Sequence, residues 1–176
     1  MHRAALVSYS EEMQSSQSLF YPQPDWIKQI TGDWNLKRSA AELMQILYKV
    51  AGHGVGLGYG PFAAALTKDS GEIIDCNVNQ VTQQHDCGAH AESIVLQNGQ
   101  RILISEGKVI SDLNEYILLC SGQPCVGCAG RIWLYRPGRV IYGASKEEIE
   151  RIANFTEGPV APNFWERAKS ERSIVV

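Results

Sequence analysis

Two short segments narrow most sharply what this chain can fold into: Gly88-Ala89-His90-Ala91-Glu92 and Pro124-Cys125-Val126-Gly127-Cys128. Each is followed by residues of helical periodicity, so each is expected at the N-terminal turn of its own helix. Pro124 suits a first turn, where its missing N–H costs nothing. The spacing of Cys125 and Cys128 puts both thiols within reach of one ion. The positive end of the helix dipole favours their ionised form. His90 adds a neutral nitrogen. Two thiolates and one imidazole neutralise Zn²⁺ and leave one tetrahedral position open for water, which distinguishes a catalytic zinc from a structural one. Glu92, in a first turn wrapped around the ion, can reach that water as a base. A second arrangement has the same spacing: Cys87 and His90 with Cys125 and Cys128 would make a closed Cys3His structural site, in which Glu92 has no task.

The rest of the pattern supplies a frame for those two turns. A chain of 176 residues suggests one domain, large enough to bury a core without disulfides. Residues 1–38, with Pro22, Pro24, Trp26 and Trp34, read as an irregular N-terminal arm whose aromatics pack on the body or on a partner subunit. The main domain is expected over residues 39–176. Ser39 and Glu42 have capping-box spacing, Leu43, Leu47 and Val50 follow with helical period, and Gly52 is a plausible stop. Phe62–Leu66 and Ile73–Val78 read as strands joined by the turn chemistry of Asp69-Ser70-Gly71. Next come a helix from about Ala89, with Ala91, Ile94 and Val95 inward, and a strand at Tyr116–Cys120. A helix to about Tyr135 follows, with Val126, Ala129 and Trp133 on one side. A strand at Val140–Tyr142, a helix opened by Ser145 and Glu148, and a strand at Ser173–Val176 complete the chain. The order implies an α/β fold, a three-layer α/β/α sandwich with a central five-stranded mixed sheet.

Charge excludes some partners. The net charge is −3, so no basic field awaits nucleic acid; Lys37-Arg38 and Arg136 with Arg139 are thin material for it. No apolar run approaches the roughly 18 residues of a membrane helix. Met1 to Gln17 lacks the apolar core of a signal peptide. A cytoplasmic protein with reduced cysteines is therefore expected. Cys76 and Cys120 alternate into strands as small core residues, while His53 and His85 fall in loops.

Further residues join the two segments in a recognisable series: Gly60-Pro61-Phe62, Asn79-Gln80-Val81-Thr82, Asp86, and Phe155-Thr156-Glu157-Gly158-Pro159. Over roughly residues 55–165 the chain resembles the guanine deaminase branch of the cytidine-deaminase-like superfamily. His-x-Glu with Pro-Cys-x-x-Cys is the signature of zinc nucleobase deaminases. The resemblance implies a Zn²⁺ hydrolase releasing ammonia from a small aminoheterocycle, guanine or a guanine-like base. It implies zinc ligands His90, Cys125 and Cys128, and Glu92 as proton shuttle. It also implies that Glu157 helps bind the base and moves protons to the leaving amine. Asn79 would hydrogen-bond the base, with Phe62 walling the ring and Ala91 touching it. A homodimer is implied as well, with Trp26 and Trp34 as candidate anchors. Two other readings stay open: a tRNA adenosine or cytosine deaminase, and a non-catalytic zinc-stabilised binding module.

Overall fold

A computed structural model describes residues 21–153 and 158–176. Its strands are β1 (Ala63–Lys68), β2 (Ile73–Val78), β3 (Tyr116–Gly122) and β4 (Arg139–Ala144). Its helices are α1 (Asp25–Thr31), α2 (Ala40–Gly56), α3 (Val81–Gln84), α4 (Ala91–Ser105), α5 (Val126–Tyr135), α6 (Lys146–Ala153) and α7 (Phe164–Arg172). The sheet order is β2-β1-β3-β4, with β1 antiparallel to both neighbours and β3 parallel to β4.

Alternation along β1 builds the layers. Ala64 and Leu66 face α4, joining Ala91, Val95, Leu96 and Leu103, while Ala63 and Ala65 face α2, joining Leu43, Leu47 and Val50. Small residues on β1 let both helices approach. Gly99 makes the approach of α4 closest: a Cβ there would come within 2.3 Å of the Leu66 side chain. The three α/β/α layers are thus those the sequence implies, around a mixed sheet.

Topology brings the two helix starts together. β2 and β3 both run antiparallel to β1, so their C-terminal ends share one edge of the sheet. β2 leads through the short α3 to α4, and β3 leads to α5. Both helices therefore open at that edge, the usual position of a ligand crevice in an α/β sheet.

The sheet has four strands among the described residues, not five. Helix α7 occupies Phe164–Arg172, and Ser173 turns the chain in a left-handed conformation, φ 58°. Ser173 is the C-cap of α7 rather than extended backbone, so the expected strand loses its first residue. Val175 alone bridges the edge of β4, accepting from the Val140 N–H at 2.7 Å and donating to the Gly138 carbonyl at 3.0 Å. Helix α7 is legible in hindsight: Phe164 and Ala168 share a face, and Arg167 pairs with Glu171 one turn on.

Other expectations are corrected too. Helix α2 runs past Gly52 to Gly56, because the Gly52 position is open to solvent and a glycine there costs only about 1 kcal/mol. His53 accordingly lies in a helix, its ring 4.8 Å from that of Trp26. On α5 the buried face is Cys128, Ala129 and Ile132, and Val126 is half exposed. Residues 21–38 contain a helix rather than irregular chain, and their aromatics lie on this chain's own body. Trp26 packs edge-on to Tyr59, and the Trp34 Nε1–H donates to Thr31 Oγ1 at 2.7 Å. The expected arm over residues 1–20 lies outside the described residues. Both capping boxes form as expected, Ser39 with Glu42 and Ser145 with Glu148. No helix of the described residues is long and apolar enough to cross a membrane.

One buried acid makes stability depend on pH. Asp75 faces α4 from β2 and is 3% exposed. Burial pushes its carboxyl up to about 7, against hydrogen bonds from Asn98 and the Cys76 backbone. One of its oxygens and the Asn98 Oδ1 have no partner among the described residues, an arrangement that suits a protonated acid. In the unfolded chain the same group titrates near 3.9. The native state therefore binds the extra proton between about 4 and 7, and stability falls as pH rises through that window. Asp75→Asn removes the dependence. It should raise the Tm more at pH 8 than at pH 5.5, by a difference of about 2 kcal/mol in stability. Paired thermal melts measure this, and the zinc site's own titration cancels between variant and parent. An equal shift at both pH values would refute it.

Candidate metal centre and active site

His90 and Cys125 are the N-cap residues of α4 and α5, both with extended backbone. Cys128 follows in the first turn of α5. His90 Nδ1 lies 3.5 Å from the Sγ of Cys125 and 3.5 Å from that of Cys128. The three ligand atoms all lie within 4.8 Å of one another. Tetrahedral ligands about 2.3 Å (sulfur) and about 2.0 Å (nitrogen) from one zinc would stand roughly 3.5 Å apart. The donor set thus fits zinc in chemistry and spacing. Both cysteines are buried and His90 is half-buried. Cys87 is exposed and outside this group, so a closed Cys3His site is not what the structure forms.

The two thiols of the site are shifted in opposite directions. The Cys125 thiol is pushed down by its hydrogen bonds with Cys128 and His90. The Cys128 thiol is pushed up, first by its hydrogen bond with Cys125, then by burial and by the nearby charges of Glu92 and Cys125. A divalent cation counters these effects and makes both sulfurs ligands. Ser93 Oγ sits 3.9 Å from the Cys128 sulfur.

Glu92 lies in the first turn of α4, 7% exposed. Burial pushes its carboxyl up to about 7, while its own backbone N–H, His90 and Cys128 favour the charged form. A carboxyl poised near neutrality beside a metal site can both take and give a proton.

The other expected residues gather around this corner. Asn79 follows β2; its N–H donates to the Phe62 carbonyl at 2.8 Å and its Oδ1 accepts from the Val81 N–H at 3.2 Å. Its Oδ1 thus serves a turn, and its amide NH2 is a donor it can offer a ligand. Gly60 makes room for it: a Cβ there would come within 2.7 Å of the Asn79 side chain. Phe62 packs its ring on Gly122, where a Cβ would meet it at 3.2 Å and Ile149 of α6 at 2.8 Å. Ala91 points its methyl into the core, fully buried. What it can offer a ligand is its N–H, at the first helical position, where backbone donors lack an intrahelical partner. Glu157 lies outside the described residues. Its neighbour Gly158 is placed: a Cβ there would be 3.3 Å from the side chain of Val126, the residue after Cys125.

Sequence reasoning missed Ile149, which the order of elements alone could not bring to Gly122. It also missed Ser121, whose Oγ accepts from the Ala63 N–H at 3.0 Å and ties the start of β1 to the end of β3.

Two helix starts that converge a histidine and two cysteines, with a buried glutamate alongside, define the zinc deaminase class on this fold. Residues 37–144 match the family described as the cytidine and deoxycytidylate deaminase zinc-binding region, and the chain belongs to that family. Guanine deaminase of Bacillus subtilis (strain 168) is 38% identical over 93 residues, 53% of this chain and 55% of that protein. The tRNA-specific adenosine deaminase of Haemophilus influenzae is 35% identical over 113 residues, 64% of this chain and 62% of that protein. The chain thus spans little more than half the length of these curated relatives. Among solved structures, guanine deaminase from Nitrosomonas europaea superposes with a TM-score of 0.76 at 26% identity, covering 90% of this chain and 87% of that one.

Proposed function

We propose that the protein is a zinc-dependent hydrolytic deaminase of a small aminoheterocycle, guanine or a guanine-like base. The observation that carries the reading is a buried glutamate, Glu92, set two residues past a histidine that converges with two cysteines. A buried ionisable carboxyl beside the converged ligands suits acid–base chemistry better than it suits a binding module. Similarity to a structure solved in complex with 2,6-diaminopurine, TM-score 0.75 at 25% identity, supports a purine-sized base.

His90, Cys125 and Cys128 would hold the metal. Zinc, when bound, supplies Lewis-acid activation of a water molecule. Glu92 accepts the proton of the attacking water and delivers it to the ring nitrogen beside the amine-bearing carbon. The Asn79 amide and the Ala91 N–H fix the base by hydrogen bonds, and Phe62 on Gly122 closes one wall of the ring pocket. Glu157, next in the chain to Gly158, is proposed as the second carboxylate, passing a proton to the departing amine. Val126 and Leu134 leave an exposed apolar edge on α5, which supports a homodimer.

The tRNA adenosine deaminase reading rests on the Haemophilus influenzae relative, against a net charge of −3. Ammonia release from guanine, 2,6-diaminopurine, adenine, cytosine and a tRNA anticodon stem-loop separates the readings. Turnover of a free base supports the proposal; turnover of the stem-loop alone replaces it. Asn79→Ala should lower kcat/KM for the accepted base by about 10- to 100-fold, the cost of a lost buried hydrogen bond. Unchanged kcat/KM would remove Asn79 from the base-binding set.

A further inference from the structure

We propose that Tyr21, upstream of the family-matched region, is a positioning residue for the metal centre: through Asp86 it fixes the loop that delivers His90. The inference rests on the zinc-site reading above. The Tyr21 hydroxyl donates to one carboxylate oxygen of Asp86, a residue 65 positions along the chain. The other oxygen accepts from the Gly88 N–H at 2.8 Å. The backbone of Asp86 is engaged as well: its N–H donates to the Val81 carbonyl at 3.2 Å, and its carbonyl accepts from the Ala89 N–H at 3.0 Å. Asp86 is thus the knot of the turn that ends at His90, and its carboxylate lies within electrostatic reach of His90 and Arg131. Preceding it, His85 is left-handed at φ 51°. Such a turn holds its shape only while the surrounding bonds over-determine it.

The segment carrying Tyr21 is itself bound to the pocket's frame. Asn98 Nδ2 of α4 donates to the Tyr21 carbonyl at 3.1 Å, and Gln80 Nε2 donates to the Pro22 carbonyl at 2.8 Å. Gln23 Nε2 donates to the Cys76 carbonyl of β2 at 2.7 Å. Gln80 is the residue after Asn79, and its N–H donates to the Ala89 carbonyl at 2.9 Å. One short stretch therefore holds both the loop before His90 and the neighbour of the proposed base-binding asparagine. With the hydroxyl gone, one oxygen of Asp86 loses its donor. The carboxylate can then rotate away from the Gly88 N–H, and His90 loses its fixed bearing on the two sulfurs.

Removing a direct hydrogen-bond partner of a metal ligand costs about 10- to 100-fold in affinity or activity. Tyr21 acts further out, through Asp86 and the backbone of Gly88 and Ala89, so Tyr21→Phe should accelerate zinc release to a chelator by about 3- to 10-fold. It should lower kcat by a similar factor with KM within about 2-fold, and shift the visible bands of the cobalt-substituted protein. In an Asp86→Ala background the same substitution should change nothing further, because the two residues act in series. Zinc release and cobalt bands identical to the parent's would overturn the proposal, as would additive effects in the double variant. If the parent releases ammonia from no amine, the deaminase reading fails. The chelator and cobalt measurements still decide the role of Tyr21.

Discussion

Glu92→Gln should bind a full equivalent of zinc, melt with the parent protein and still bind the base, yet turn over at least about 10³-fold more slowly. The amide keeps the shape of the carboxyl and loses its basicity. Acid–base terms are worth on the order of 10² to 10⁴ in rate. Glu92 is asked for more than one transfer, from water and then to the ring nitrogen, so its loss falls at the upper end. Its position supports that burden: it sits in the first turn of α4, and burial holds its carboxyl near 7. Glu92→Ala should behave alike. Single-turnover kinetics with metal analysis by atomic absorption measure both. A Gln variant with near-parental kcat would show that the proton travels by another route.

Cys125→Ala should lose the metal altogether. One imidazole and one thiolate cannot close a zinc site, and binding free energy at such a site is also folding free energy. The variant should fall by about 3 kcal/mol or more in stability, roughly 10 °C in Tm for a chain of this size. Chelator treatment should bring the parent protein down toward the variant and leave the variant unmoved. Cys87→Ser is the control. Cys87 is exposed and outside the ligand group, so its loss should cost neither zinc nor stability. A Cys125→Ala protein with one tightly held zinc would mean that other residues make the site.

The legible parts of this protein are those decided within one or two turns of chain. Ser39 with Glu42 and Ser145 with Glu148 announce helix starts because a capping box closes over three residues. The hairpin of β1 and β2 follows from Asp69-Ser70-Gly71, with Gly71 at φ 87°. Gly52 misled because glycine marks a helix end only when its conformation is needed there. The last strand misled because Ile174-Val175-Val176 has strand chemistry, yet Ser173 caps α7 in a left-handed conformation and the segment makes a single bridge to β4.

The sequence by itself determined which atoms could bind zinc and that each sits at a helix start, because cap position and ligand type are local properties. It left open whether Cys87 joins them, since its spacing to His90 equals that between Cys125 and Cys128. Only the tertiary structure decided that, by turning Cys87 outward while His90 meets both sulfurs at 3.5 Å. It alone brought the two helix starts to one sheet edge, through two strands that run the same way on either side of β1. It alone placed Tyr21 on Asp86, 65 residues away. Contacts at such separation depend on how the layers pack, and no periodicity or motif encodes them.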